Sequence, residues 1–189
     1  MQKRSILFFI VGVLLTALVA GCGGGGSFAF GGDVLRDKAA TKKALEQMKE
    51  KGGGEPLMIF QSVNFGTEFI NFNRRDPKKP DNVDNFTWHA NQGWQGPKPV
   101  VLKGNGNMDD NVFNADDVNW EAIPDFIANV EKKAKEEGME KIEKIDGIMV
   151  YFNVSAGKLS FSATVKSDRK EASVSGDVKT GEITYFKFR

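Results

Sequence analysis

Apolar side chains return at helical spacing from residue 123 onward. Ile123, Phe126, Ile127, Val130 and Ala134 fall at i, i+3, i+4, i+7 and i+11, which places them on one stripe of a helix. Lys132, Lys133, Lys135, Glu136 and Glu137 fill the opposite side, and Gly138 is a natural stop. Pro124 belongs in the first turn, where its missing N–H costs least, and Trp120 just before it is expected to fold back onto the core. A thinner stripe of Val34, Thr41, Leu45 and Met48 lies among Arg36, Lys42, Lys43, Glu46 and Lys49. It predicts an earlier helix, ended by Gly52-Gly53-Gly54.

After each helix the period changes from 3.6 to two. Leu159, Phe161, Ala163 and Val165 alternate with Ser160, Ser162, Thr164 and Lys166, the pattern of a strand with one buried face. Ile148, Val150, Phe152 and Val154 alternate in the same way before it. Ala172, Val174 and Val178 continue the pattern after it, followed by Ile183 to Phe188. Turns are expected at 155–157, 167–169 and 179–181, and such short connections imply an antiparallel meander. In the first half, strands are predicted near 57–64, 67–73, 85–91 and 100–103. Exposed loops are predicted at 76–81 and 92–97.

The order is helix then four strands, twice. Gly52 and Gly138 stand 86 residues apart, a spacing suited to a domain-scale duplication. The predicted fold class is α+β, with two tandem repeats, each one helix packed on an antiparallel four-stranded sheet. The boundaries place repeats at 33–104 and 119–189, joined by an acidic Asn/Asp-rich linker at 105–118.

The N-terminus has a different character. Lys3 and Arg4 precede a run of fifteen weakly polar to apolar residues, Ile6 to Ala20. That run is short of the about 20 residues a membrane-spanning helix needs, and it suits the core of a secretory signal peptide. Leu18-Val19-Ala20-Gly21-Cys22 follows and resembles the lipobox of bacterial lipoproteins, with Val19 where Leu is commoner. The resemblance implies a signal peptide at 1–21, removal of the leader, and acylation of Cys22 as the new N-terminus. The protein would then sit in the bacterial cell envelope, on the extracytoplasmic side of a membrane. Anchoring would follow from about 0.8 kcal/mol per buried CH2 of the acyl chains. Residues 22–32 read as a Gly-rich tether, ten such residues reaching roughly 16–19 Å. Phe28 and Phe30 would either dip into the membrane interface or cover part of the domain.

A second resemblance rests on the end of the chain. Tyr151-Phe152-Asn153-Val154 and Gly157-Lys158 precede Asp177-Val178-Lys179-Thr180-Gly181-Glu182-Ile183. Residues 119–188 thereby resemble PepSY-type domains, whose last hairpin often carries Asp, two residues, then Thr-Gly. The tandem arrangement is similar to the β-lactamase-inhibitor-protein architecture. These resemblances imply secreted or membrane-anchored modules that bind or inhibit other proteins. They bring no catalytic residue, because the shared motif is a turn.

Charge and composition narrow the chemistry. The 26 basic and 25 acidic residues give +1, and removal of Lys3 and Arg4 with the leader leaves −1, so the electrostatic footprint of nucleic-acid binding is missing. Forty percent apolar content and 15 Phe supply an ordinary globular core. One Cys and one His exclude a disulfide framework and the usual zinc ligand sets, and an acylated Cys22 would hold no reactive thiol. No cofactor or metal is expected. His89, between Trp88 and Ala90, lacks a nucleophile or a second metal ligand in the pattern and reads as structural or surface-exposed. Gly104-Asn105-Gly106 opens like a dinucleotide loop, but Asp109 stands at the third glycine position. Asp109, Asp110, Asp116 and Asp117 are hard oxygen ligands of the kind Ca2+ takes. They lack the EF-hand spacing, however, and read more simply as linker residues.

One surface remains. Ser160, Ser162, Thr164, Ser173 and Ser175 are expected on the sheet face away from the helix. That face is either plainly solvated or a broad uncharged surface for a protein partner, anchored by Tyr151 and Tyr185. The sequence is read as a non-catalytic binding module attached to a membrane through Cys22. A lipid or apolar-ligand binder is the alternative, and a hydrolase using the acidic loop a further one.

Overall fold

The computed structural model describes residues 29–189 apart from Asn105. The leader, Cys22 and Phe28 lie outside the described residues. The fold is α+β, a large antiparallel sheet with two helices packed on one face.

Helix α1 spans Lys38–Lys51 and is capped by the Asp37 carboxylate, which accepts hydrogen bonds from the Ala39 and Ala40 N–H groups. It ends at Gly52 and Gly53, the latter at φ +84. Its buried residues are Ala40, Thr41, Ala44 and Met48, with Leu45 packed at their margin. Val34 is buried too, but in the turn before the helix. Helix α2, Ile123–Glu136, buries Ile123, Phe126, Ile127, Val130 and Ala134, with Pro124 in the first turn, as the stripe predicts. Trp120 folds inward, its Nε1 donating to the Ala115 carbonyl at 2.7 Å.

The strands are β1 (Met58–Phe65), β2 (Phe69–Arg75), β3 (Val83–His89), β4 (Gly93–Pro99), β5 (Val112–Asn114), β6 (Lys144–Asn153), β7 (Lys158–Lys166), β8 (Glu171–Gly176) and β9 (Ile183–Phe188). Eight lie side by side in the order β4-β3-β2-β1-β6-β7-β8-β9, and β5 pairs with the start of β1. The strands expected as two four-stranded sheets thus join edge to edge where Ser62–Phe65 of β1 meets Ile148–Tyr151 of β6. Gln61, at φ +63, lies at the bulge where β1 changes neighbour from β5 to β6.

Two details correct the sequence reading. The fourth strand is Gly93–Pro99, inside the segment read as a loop, while 100–103 is irregular and Val101 is 83% exposed. Gly96, Pro97 and Pro99 suggested a break, but an edge strand needs hydrogen bonds on one side only and tolerates proline. At Gly96 (φ +113) a Cβ would stand 2.6 Å from the Asn85 carbonyl oxygen. The glycine is therefore what lets β4 approach β3. The second correction lies within 105–118, which forms β5 and two single-turn 3-10 helices in place of a plain linker.

One buried cluster runs under both helices, from Phe86 and Trp88 through Phe65 and Val150 to Phe161 and Val174. Register carries it from strand to strand: Phe86 faces Phe72, Phe72 faces Val63, Val63 faces Val150, and Val150 faces Phe161. Ion pairs from Arg36 to Glu131 and from Lys38 to Asp125 tie the start of α1 to α2. Both are exposed, and such pairs contribute about 0–1 kcal/mol each.

Candidate functional site: the open face of the sheet

Residues of opposite parity to the core point away from both helices. In the second half, Met149 faces Ser162, Ser162 faces Ser175, and Ser175 faces Tyr185 across successive strands. A neighbouring row sets Tyr151 opposite Ser160, and a third sets Thr164 opposite Ser173. The seven side chains read from the sequence as a surface therefore share one face. Six are half-buried by their neighbours, and Tyr185 is 48% exposed.

The same face continues into the first half, which sequence reasoning missed. Asn64 faces Met149 on one side and Asn71 on the other, and Asn71 faces Thr87. These side chains bond to one another. The Asn71 amide donates to the Thr87 hydroxyl at 2.8 Å, Thr87 donates to Asn85 at 3.1 Å, and Asn85 donates to Asn73 at 2.9 Å. The hint was available, because Phe-Ile-Asn-Phe-Asn at 69–73 alternates amides with core residues. Across its middle the face is uncharged and rich in paired donors and acceptors.

A shallow hollow of about 340 Å³ opens on this face near the join of β1 and β6, with Asn64, Phe69, Met149, Ser162 and Thr164 among its lining. Gly147 is also part of the lining, and at φ +132 its backbone lies against the Phe65 carbonyl, where a Cβ would collide. The hollow has a charged margin. Glu171 accepts from Arg189 at 2.7 Å and lies 3.6 Å from Lys166, while the Arg189 Nε donates to the Ser173 hydroxyl.

Other candidates stand apart from this face's centre. His89 ends β3, half-buried opposite Phe69 and Gly93. The acidic segment is drawn in different directions, Asp109 to Arg75 and Asp116 to Lys49. The Lys49 ammonium is held above its ordinary range by hydrogen bonds to Asp116 and Glu55. Among the described residues, no three His, Cys, Asp or Glu side chains gather as a metal site. Elsewhere, Glu143 is pushed up by the neighbouring Asp168 carboxyl, a pair that no sequence spacing announced.

The β8–β9 turn explains its own motif. The Asp177 carboxylate accepts from the Lys179 and Thr180 N–H groups at 2.8 and 3.1 Å, which holds it below its ordinary range. Gly181, at φ +74, sits where a Cβ would come within 2.7 Å of the Ala122 carbonyl oxygen and 2.9 Å of the Phe126 nitrogen. The Asn129 amide donates to the Gly181 carbonyl at 3.0 Å. The Asp-x-x-Thr-Gly spacing thus docks the hairpin against the start of α2.

Phe30 is buried and packs on Trp88 with ring centroids 4.5 Å apart. Of the two readings of Phe30, covering the domain is the one observed.

No protein-family model matches the chain. A relative described as "Probable lipoprotein EnvF" of Salmonella typhimurium is 25% identical over 163 residues, 81% of this chain. The match spans 61% of that relative's length. Among solved structures, a "putative lipoprotein (CD1622)" from Clostridium difficile 630 superposes with a TM-score of 0.51 at 14% identity, covering 79% of this chain and 92% of the other. The description of the sequence relative supports a bacterial lipoprotein, and the solved structure, at 14% identity, supports the fold. No described helix is long and apolar enough to cross a membrane.

Proposed function

We propose that the protein is a lipid-anchored, non-catalytic binding module of the bacterial cell envelope that recognises a protein partner through the open face of its sheet. The observation that carries this reading is the shared placement of Ser160, Ser162, Thr164, Ser173 and Ser175 with Tyr151, Tyr185 and Met149 on a face neither helix covers. Interfaces of this kind gain specificity from shape and paired polar groups, and most of their energy from a few aromatic anchors. Acylated Cys22 is the anchor in this account, and the two helix-plus-four-strand units are a duplication whose second copy ends in a PepSY-like hairpin. The alternative of an apolar ligand held between helix and sheet finds less support, because that layer is filled by Phe72, Phe126, Phe161 and their neighbours. The acidic loop offers a hydrolase little, since Asp109 and Asp116 already sit in ion pairs.

The test is capture of the partner by the lipid-anchored chain in its own envelope. Tyr151→Ala and Tyr185→Ala are expected to weaken capture about five- to thirtyfold each, as anchors of about 1–2 kcal/mol do, with unchanged melting. Turnover by the purified protein that is abolished on changing Asp109, Asp110 or His89 would contradict the reading.

A further inference from the structure

We propose that β9 is the edge through which two copies of this chain pair, continuing the sheet across a two-fold axis. The two edges of the sheet differ in what they offer. At β4 a bulge opposite Asn85–Thr87 and the prolines at 97 and 99 interrupt the row of donors, as guarded edges do. At β9 the six residues Ile183–Phe188 contain no proline, and the register shift, between Ser175 and Gly176, is confined to the start of the strand. The Arg189 N–H donates inward to the Glu171 carbonyl at 2.9 Å, and backbone direction alternates along an antiparallel strand. From Tyr185 on, where the pairing with β8 is regular, the N–H and C=O groups of Phe186 and Phe188 therefore point outward, and among the described residues no strand receives them.

The side chains of this edge suit a second copy. Phe186 and Phe188 stand edge-to-face at 5.5 Å on the helix side, and Phe188 is 37% exposed. Tyr185 lies on the other side. An antiparallel pairing centred on Phe186 sets Tyr185 opposite Lys187 of the second copy, an ammonium against an aromatic ring, and Thr184 opposite Phe188. It brings no like charges face to face, whereas centring on Lys187 would oppose two ammonium groups at a cost.

The experiment co-produces two differently tagged full-length chains, solubilises the envelope in detergent and measures co-purification. Pairing of the unaltered chains is expected, with a loss of at least fivefold in Phe188→Pro, which removes an outward N–H and none facing β8. Thermal melting checks that this variant folds. Tyr185→Lys, at an exposed position, should lose pairing to a similar degree, and adding Lys187→Glu should restore it. Failure of the unaltered chains to co-purify would overturn the proposal. So would pairing insensitive to both substitutions, a double variant that does not recover, or an edge occupied only by a different protein.

Discussion

Phe161 carries no exposed surface and lies 5.4 Å from the Phe126 ring. The alternation of one strand and the stripe of one helix meet at this contact. Deleting a fully buried phenylalanine removes its transfer energy and leaves a cavity that the neighbouring sheet cannot close, so Phe161→Ala should cost about 3–5 kcal/mol. Denaturant unfolding of the purified protein measures this, and a loss below about 1 kcal/mol would mean that the core does not depend on the contact. At this scale the sequence was informative wherever period two or 3.6 ran unbroken. Phe126, Ile127 and Phe161 are buried as expected, while Leu159, one step nearer the strand end, is half-buried against them. The amides of the first half went unread because Asn64, Asn71 and Asn73 look like turn residues in isolation. Only cross-strand register shows that they continue the serine rows.

Among the elements, the β8–β9 hairpin offers the clearest link between charge and stability. Backbone donors at Lys179 and Thr180 hold the Asp177 carboxyl below the ordinary value of 3.8. A group whose folded-state pKa is depressed stabilises the fold above its unfolded value, and that contribution is lost as pH falls through the folded one. Asp177→Ala should therefore melt below the unaltered protein near neutral pH, with the gap narrowing once pH drops under about 3.8. Melting curves across that range decide it, and a gap independent of pH would remove the carboxylate from the explanation. The helices and the strands of the second half were legible because their apolar patterns are long. Strand β4 was hidden because Gly96, Pro97 and Pro99 are breakers in every context except an edge. Strand β5 was hidden because three residues, Val112–Asn114, are too few to display a period. Such elements exist because β1 offers them a neighbour, which is a property of tertiary packing.

For the whole molecule, the junction of β1 with β6 turns two sets of strands into one surface. Local pattern carries no information about which strands meet across more than eighty residues, so the sequence implied two sheets and the structure has one. The consequence is functional in this account. The serine rows of β7 and β8 join the amide rows of β1 to β3, and the hollow at Gly147 opens near their common boundary. Under the proposed function, this broad face is where a partner would be met beside the membrane. The central claim is that recognition occurs on this face and not on the helices. A photoreactive amino acid placed at Ser162, in the full chain within its own envelope, tests it against the same group placed at Lys132, whose side chain is 78% exposed on α2. The account predicts a discrete protein adduct from position 162 and none from position 132. Adducts from position 132 alone, or equal labelling from both, would contradict it.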